Sequence, residues 1–292
     1  MTGIDPLISV IIPTYNRANV LERAINSALK QTHQNLEVLV VNDGSTDNTS
    51  KTVNNFDDRR INYFQHNSNK GANTARNLGI RKSNGQYVAF LDDDDYWHKR
   101  KIELQLKKFR ESEDDVGIVY CKVAVVRKNK KKFVTTPDIE GYVFKDALRM
   151  ELNEAINSSM LFRRYYLQKV MPLDESLPGA QDTDLVIQLS KFCRFKYVDK
   201  ILVFKESSEK SINSSVNKDV GRVMVLKKHS KLYDKFFPST KRSLLGMSYL
   251  SSGKKRIRKE DFFKGFLDFL KAVFYSPLRF VKYCYGFLKR RL

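Results

Sequence analysis

The chain has 292 residues, of which 41% are hydrophobic, so it can bury the core of one large domain plus an appendage. Its three cysteines lie far apart, which argues against a disulfide framework or a zinc site and is typical of a reducing compartment. The net charge of +20 is uneven, because residues 1–120 carry 16 basic and 16 acidic side chains whereas residues 241–292 carry 14 and 3. The amino-terminal part therefore does not bind its partner by bulk positive charge.

The first hundred residues predict alternating strands and helices. Buried strands are indicated by the apolar runs at 7–12, 36–41 and 86–91 and by the short run at 61–64. The segments between these runs have apolar residues at helical spacing, and the acidic run after residue 91 is followed by a further predicted helix. This alternation predicts a parallel, doubly wound sheet.

After Gly117 the order of the elements changes. The later predictions are a hairpin of residues 118–126 and 133–136 around the basic turn RKNKKK, a strand at 157–164, a helix at 181–192, a strand pair at 196–204 and a helix at 216–235.

Acidic residues follow two of the predicted strands. Asp43 comes after the second strand, and Asp92, Asp93, Asp94 and Asp95 come directly after residues 86–91. Doubly wound sheets bind ligands beyond the carboxyl ends of their strands, so both clusters are expected at one ligand-binding edge. Four adjacent carboxylates repel one another, and a hard divalent cation would relieve that repulsion. The alternative is a solvated turn that caps a helix starting near Trp97.

Three further side chains are candidates at the same edge. Tyr15, in the run PTYN, could stack on a nucleobase, and Asp43 could accept a hydrogen bond from a base or a ribose hydroxyl. Arg76 is predicted on a helix near the edge. Each has a structural alternative: a half-buried tyrosine in a helix-start turn, an ordinary Asp-Gly turn and a surface arginine.

Five ordered motifs carry a resemblance to glycosyltransferase family 2: LISVIIPTYNR, VLVVNDGSTDNT, NKGANTARNLGI, GQYVAFLDDDDYW and LDESLPGAQDTDLVIQL. Together they cover residues 6 to about 205. The resemblance implies an α/β fold with a GT-A-type, doubly wound, mostly parallel sheet. Residues 1–120 would be the nucleotide-sugar-binding half and residues 121–235 the acceptor-binding half.

The activity that this resemblance implies is transfer of a sugar from a nucleotide-diphosphate donor, predicted to be a UDP-sugar. The acceptor would be a hydroxyl of a glycan or of a lipid-linked molecule, in the synthesis of a cell-surface polysaccharide or glycoconjugate. The reaction would be a single displacement with inversion.

The resemblance also assigns site residues. Those implied to bind the nucleotide are Pro13, Tyr15, Asp43, Arg76 and Asp93. Those implied to hold a manganese or magnesium ion with the diphosphate are Asp92, Asp94 and Asp95. The catalytic base would be Asp182, which follows Gln181; its structural alternative is a helix N-cap, with Asp184 as a first-turn acid.

The chain departs from the family pattern after the last predicted strand. Family members often carry a tyrosine–arginine pair and a histidine there, which close over the diphosphate. Residues 203–215 contain neither Arg nor His, although Lys205 and Lys210 could supply positive charge. This difference leaves the closing loop and the details of donor binding open.

Residues 236–292 predict a basic amphipathic helical tail. One predicted face holds Phe262, Phe263, Phe266, Leu267, Leu270, Val273 and Phe274. Charges recur too often for a membrane-spanning helix, but phenylalanines flanked by lysine and arginine are typical of a helix lying on an anionic membrane. Since no signal peptide is evident, we expect a cytoplasmic protein peripherally associated with the inner face of the cell membrane. The alternative is that these helices pack on the enzyme or on a second subunit of a homo-oligomer.

Two other functions stay open from the sequence. A sugar-phosphate nucleotidyltransferase would normally have a glycine-rich loop with arginine and lysine near its amino terminus, which PTYNR lacks. A nucleic-acid-binding protein would explain the net charge, but it predicts basic residues at the edge where this chain has aspartates. We therefore expect no nucleic-acid partner.

Overall fold

A computed structural model describes residues 5–127, 130–134, 138–152, 157–206, 215–278 and 280–281. Its contacts divide the chain into two compact units. The first comprises Met1–Glu175 and Leu185–Ser207, and the second comprises Ser176–Asp184 and Ser208–Leu292. The functional division at residues 120 and 235 stays a prediction. Lys210 and part of the predicted basic turn lie outside the described residues.

Nine strands and eleven α-helices are described. The strands are β1 (Ile8–Thr14), β2 (Leu36–Asn42), β3 (Ile61–Gln65), β4 (Tyr87–Phe90), β5 (Asp95–Trp97), β6 (Val116–Arg127), β7 (Lys130–Val134), β8 (Leu161–Arg163) and β9 (Arg194–Glu206). The helices are α1 (Ala18–Leu29), α2 (Thr49–Asn54), α3 (Ala72–Lys82), α4 (Lys101–Arg110), α5 (Phe144–Leu148), α6 (Arg164–Gln168), α7 (Gln181–Leu189), α8 (Ser215–Lys228), α9 (Ser230–Phe236), α10 (Pro238–Ile257) and α11 (Phe262–Tyr275). A 3₁₀ turn, Asn157–Ser159, precedes β8.

The strands form one sheet in the order β3-β2-β1-β4-β8-β6-β9-β5, and β7 pairs with β6. The pairs among β3, β2, β1 and β4 are parallel, as is the pair of β6 with β9. Strand β8 is antiparallel to both β4 and β6. The mixed, mostly parallel sheet confirms the predicted α/β fold.

The core of the first unit lies on the central strands. Every residue of β1 is buried, as its continuous apolar run predicted. Helix α1 buries the stripe Leu21, Ala24, Ile25 and Ala28, which recurs at three- and four-residue spacing.

Several predicted elements differ from the structure. The strand predicted at 157–164 is limited to β8, after the 3₁₀ turn, and β7 begins at Lys130, within the predicted basic turn. The acidic run leads first into the short strand β5, antiparallel to β9, and the next helix begins at Lys101 rather than near Trp97. The predicted strand pair at 196–204 is one strand, β9, in which Asp199 and Lys200 form a bulge opposite the β6 step from Cys121 to Lys122. The single helix predicted at 216–235 is two helices, α8 and α9, which meet at His229.

The second unit contains helices α8 to α11. Helix α10 packs against α11, α8 and α9. The face of α11 that is buried contains small and polar residues, Gly265, Asp268 and Ala272. Asp268 accepts hydrogen bonds from Ser252 Oγ at 2.6 Å and from Arg256 Nε at 3.1 Å. A Cβ added at Gly253 would lie 3.0 Å from the Gly265 carbonyl oxygen, so the absence of a side chain there allows the two helices their close approach.

The exposed face of α11 is apolar. Phe263 is 74% exposed, Phe274 is 71% exposed, and the other apolar residues of this face that are exposed are Phe262, Phe266, Leu267, Leu270 and Val273. We call these seven residues the phenylalanine face. The face predicted from the sequence is therefore present, but it points away from the helix that α11 packs on. None of the described helices combines the length and the apolar character that crossing a bilayer requires.

Candidate active site

The loops after β1, β2 and β4 meet at one edge of the sheet. Thr14 and Asn42 are the last paired residues of β1 and β2, and the Asp43 N–H donates to the Thr14 carbonyl at 2.8 Å. The Leu91 N–H donates to the Ile11 carbonyl at 3.0 Å, so the acidic run begins beside the end of β1. The structure therefore brings Tyr15, Asp43 and the four aspartates to the edge where the sequence predicted them.

Asp43 fixes the loop that precedes α3. Its carboxylate is only 3% exposed and accepts hydrogen bonds from the backbone N–H groups of Lys70 and Gly71 at 2.7–3.1 Å. His66 Nδ1 lies 2.7 Å from the same carboxylate. Asp43 thus positions the start of α3, and its predicted contact with a nucleobase stays a prediction.

The loops after β1 and β2 are tied to each other. The Asn16 side chain accepts from the Thr46 N–H at 2.8 Å, and the Asn16 N–H donates to Ser45 Oγ at 2.9 Å. Gly44 has a φ of +76°, and a Cβ there would lie 2.4 Å from the Ser68 carbonyl carbon, so this turn requires glycine. Tyr15 is 42% exposed beside these loops, whereas Pro13 is buried within β1 opposite Val41.

Two arginines neutralise the acidic run. Arg76, which is only 5% exposed, donates to Asp92 Oδ1 at 2.8 Å. Arg17 donates to Asp94 Oδ2 at 2.8 Å and lies 3.9 Å from Asp93 Oδ1. The predicted placement of Arg76 at this edge is confirmed, and its carboxylate partner accounts for its burial. Arg17 is a site residue that the sequence analysis did not single out.

Ser158 fixes the acidic run through hydrogen bonds. Its hydroxyl accepts from the Asp92 N–H at 3.1 Å and donates to Asp95 Oδ2 at 2.6 Å. Its carbonyl accepts from Trp97 Nε1 at 2.9 Å. Ser158 is fully buried, so this one residue connects the start of the run to strand β5. A serine in a short polar segment before a strand has no sequence signal that predicts such a role.

The charges of the run are not equivalent. Burial disfavours ionisation of Asp92, but the positive charges of Arg76 and Lys205 outweigh it and lower the pKa of that carboxyl. Burial raises the pKa of Asp93 to about 7, against the opposing charge of Arg17. Burial likewise raises the pKa of Asp95 to about 7, although Lys205 Nζ lies 4.0 Å from it. The protein therefore favours the ionised form of Asp92, whereas Asp93 and Asp95 titrate near neutral pH.

The four carboxylates do not converge on one point. Among the described residues, no group of three or more His, Cys, Asp or Glu side chains is arranged to hold a metal ion alone. Hard divalent ions such as magnesium are often bound by one or two carboxylates together with substrate phosphates, and Asp92 and Asp94 are the more exposed members of the run. Asp95 Oδ1 is buried without a hydrogen-bond partner, which leaves an unused oxygen donor in the run. This donor set fits a magnesium or manganese ion shared with a diphosphate.

Asp182 and Asp184 differ in their surroundings within the second unit. Asp182 is half-buried at the start of α7, and its Oδ1 accepts from the Thr183 N–H at 2.9 Å. Asp184 is buried and accepts from Lys228 Nζ at 2.8 Å and His229 Nε2 at 2.7 Å. Burial disfavours its ionisation, but these two donors outweigh it and lower the pKa of Asp184. The structure thus gives Asp184 a packing role and leaves Asp182 the more accessible carboxylate of the pair.

Comparison with known sequences gives a consistent result. The model of the family "Glycosyl transferase family 2" matches residues 9–171. An uncharacterized glycosyltransferase of Rickettsia bellii is 35% identical over 207 residues, which is 68% of this chain and 29% of that protein. The UDP-Glc:α-D-GlcNAc-diphosphoundecaprenol β-1,3-glucosyltransferase WfgD of Escherichia coli is 36% identical over 46% of this chain and 53% of its own. The chain therefore spans only part of the length of these relatives.

Solved structures match over more of the chain. Staphylococcus aureus TarS in complex with UDP-GlcNAc aligns with a TM-score of 0.61 and 18% identity, over 90% of this chain and 89% of that one. The mannosyltransferase PcManGT of Pyrobaculum calidifontis, in complex with GDP-Man and Mn²⁺, aligns with a TM-score of 0.60 and 16% identity, over 94% and 88%. At these identities the likeness concerns the fold, and it confirms the predicted GT-A architecture.

Proposed function

Because the chain belongs to glycosyl transferase family 2, we propose that it transfers a sugar from a nucleotide-diphosphate donor to a hydroxyl group of an acceptor. The observation that carries this proposal is the acidic run Asp92–Asp95, held at the carboxyl edge of a parallel sheet by Arg17, Arg76 and Ser158. A UDP-sugar is the proposed donor. WfgD is named for UDP-Glc, and TarS was solved with UDP-GlcNAc, which supports that choice.

The nucleotide is proposed to lie along the loops after β1 and β2. Tyr15 is exposed there and has the flat, amphipathic ring that stacks on a base. Asp43 and Pro13 would shape the floor of this pocket, since both are buried at the ends of their strands. Arg76 and Asp93 would line its diphosphate side, next to the other aspartates.

A divalent ion, manganese or magnesium, is proposed to be held by Asp92 and Asp94 together with the donor diphosphate. Asp95 adjoins them as the third predicted ligand. When bound, such an ion neutralises the negative charge that develops on the departing diphosphate. Mn²⁺ accompanies the sugar nucleotide in the PcManGT structure, which supports a divalent ion for this fold.

Asp182 is proposed as the general base. A sugar hydroxyl is a poor nucleophile, so a positioned carboxylate must accept its proton while the oxygen attacks the anomeric carbon. As the new carbon–oxygen bond forms, the bond to the diphosphate breaks, and the nucleoside diphosphate leaves with that electron pair. A single displacement of this kind inverts the anomeric centre. The half-buried position of Asp182 at the start of α7, beside an Asp184 that is already paired, supports this assignment.

The acceptor is proposed to be a glycan or a lipid-linked molecule, in the synthesis of a cell-surface polysaccharide or glycoconjugate. WfgD, whose name gives a diphosphoundecaprenol-linked sugar as its acceptor, supports this class. We further propose that the enzyme works at the inner face of the cell membrane through residues 236–292. The exposed phenylalanine face of α11 supports that contact, because exposed apolar patches of this kind mark interaction surfaces. A second copy of the chain is the alternative occupant of this face.

The proposal is tested by screening nucleotide-sugars with the full chain and manganese. We expect one donor class to bind in calorimetry only when the metal is present. That donor should also be hydrolysed slowly, with release of its nucleoside diphosphate. Asp58→Asn is a control variant that should bind the donor like the wild type, because Asp58 pairs with Arg60 on the surface of the first unit. Failure of every nucleotide-sugar to bind, with and without metal, would refute the proposed activity.

A further inference from the structure

The second unit contains a cationic groove beside the phenylalanine face. The groove has a volume of about 540 Å³ and lies among α8, α9, α10 and the end of α11. Three basic residues line it, Lys227, Lys241 and Arg242, together with the acidic residue Asp234. Phe274 and Tyr275 form part of its wall. The groove therefore has a positive side and an aromatic side.

Two of the three cations are available to a ligand. Lys241 Nζ is engaged by Ser230 Oγ at 2.8 Å and by Asp234 Oδ1 at 2.7 Å. Within the part of the chain that the structure describes, Lys227 and Arg242 have no acidic side chain within ion-pair distance. Both are exposed, and arginine in particular can donate two parallel hydrogen bonds to a phosphate. The groove thus has a net positive charge and room for an anionic group.

The aromatic side of the groove continues into the phenylalanine face. Phe274 belongs to both, and Leu278, four residues further along the chain, is 81% exposed. Tyr275 stacks on Tyr249 with 5.7 Å between ring centroids. A ligand that satisfies both sides carries an anionic group next to apolar chains. A phospholipid at the surface of a bilayer has that arrangement, because its phosphate lies at the boundary of the acyl region.

We propose that the groove lined by Lys227, Lys241 and Arg242 binds the phosphate of an anionic phospholipid while the phenylalanine face enters the adjoining acyl layer. This inference rests on the proposed membrane contact and adds to it a defined headgroup site. Uniform attraction of a basic tail to a negative surface would depend only on the number of charges. A phosphate site depends on which charges are removed and on the chemistry of the lipid anion.

The test compares two double variants of the full chain that lose the same charge. Lys227→Gln with Arg242→Gln removes the two available groove cations, and Arg258→Gln with Lys264→Gln removes an exposed arginine and lysine outside the groove. Co-sedimentation is measured with vesicles of phosphatidylcholine and phosphatidylglycerol, and with vesicles whose equal negative charge comes from oleate. Circular dichroism checks that both variants keep the wild-type fold.

On phosphatidylglycerol vesicles we expect the groove variant to bind at least about tenfold more weakly than the control variant, because the loss of even one charge-assisted hydrogen bond gives a factor of that size. On oleate vesicles the two variants should bind alike. Equal weakening of both variants on both vesicles would refute the groove while leaving the membrane contact intact. Failure of the wild-type chain to bind any anionic vesicle would instead refute the membrane contact itself. Release from phosphatidylglycerol by a short polyprenyl diphosphate, but not by glycerol phosphate, would overturn the assignment to phospholipid.

Discussion

Two surfaces of the molecule reverse the usual distribution of side chains. The acidic edge of the first unit buries charged groups, whereas the outer face of α11 in the second unit exposes apolar ones. At the edge, carboxyl groups are buried, and arginines and Ser158 compensate for their charge. On α11, phenylalanines face water while Asp268 is buried against α10. Neither arrangement is the least costly for an isolated folded chain. Departures of this kind mark surfaces that a ligand completes, and the two surfaces call for different ligands: a polar, multiply charged one and an apolar one.

The largest expected effect concerns the pair Asp182 and Asp184. Asp182→Asn should lower transfer about 10²–10⁴-fold while nucleotide binding and the unfolding temperature stay at wild-type values, because a general base acts only on the reacting proton. Asp184→Asn should instead lower the unfolding temperature, because it removes the charge that Lys228 and His229 surround. Steady-state kinetics and thermal unfolding of both variants separate the two roles. If Asp182→Asn melts several degrees lower at an unchanged rate, Asp182 is a helix cap.

Asp94 is the next test of the acidic edge. Asp94→Ala should lower metal-dependent transfer roughly 10²-fold and weaken donor binding, since it removes a carboxylate that would share the ion with the diphosphate. The chain should stay folded, because Arg17 is partly exposed and can be hydrated when its partner is lost. Titration with manganese followed by nucleotide release checks this. Wild-type transfer by the variant in excess chelator would show that the run is structural.

The burial of Asp268 and the exposure of Phe263 on α11 can be tested by measuring stability alone. Asp268→Ala should destabilise the second unit by about 1–3 kcal/mol, because it leaves Ser252 and Arg256 without their shared acceptor. Phe263→Ser should change the free energy of unfolding by less than about 0.5 kcal/mol, because that ring is 74% exposed. Urea unfolding of the full chain measures both. A larger loss for Phe263→Ser would mean that another part of the chain covers the phenylalanine face.

A pH dependence of the stability is expected from Lys101. This lysine is fully buried 4.0 Å from the centre of the Trp97 ring, and burial lowers its pKa from 10.5 to about 8. The unfolded chain therefore binds this proton more tightly, so the contribution of Lys101 to the free energy of unfolding should rise as the pH increases from about 8 to 10.5. Comparison of wild type with Lys101→Met across this range measures it. A difference that does not vary with pH would contradict the lowered pKa.

The sequence predicted the sheet edge better than it predicted what surrounds it. Continuous apolar runs locate β1, β2 and β4, and the rule for parallel strands then places Asp43 and Asp92 together without any structure. His66 directly follows β3, so the same rule applies to it, although the sequence analysis did not single it out. The role of Ser158 could not be predicted in this way, because it reaches the edge through tertiary contacts between distant segments. Arg17 is part of the motif PTYNR, yet only the structure shows that its partner is Asp94, 77 residues away. Strand β5 escaped prediction because three residues carry no periodicity.

The sequence was also an incomplete guide to α11. Its apolar spacing predicted a face correctly, but spacing does not show to which side a face turns. Asp268 lies opposite the phenylalanines, and the sequence did not reveal that this polar side is the buried one. Small residues at Gly253 and Gly265 were the available signal, because they allow two helix backbones to approach closely.

The pairing of β5 with β9 has a consequence for the order in which the acidic edge forms. Asp95 lies opposite Lys205, about 110 residues later in the chain. At typical synthesis rates of about 5–20 residues per second, β5 emerges from the ribosome roughly 5–20 s before its partner. During that interval the acidic run has neither Lys205 nor the rest of β9, so the acidic edge is completed late in synthesis. A nascent chain stalled before residue 194 would therefore have most of the parallel sheet but not its finished acidic edge.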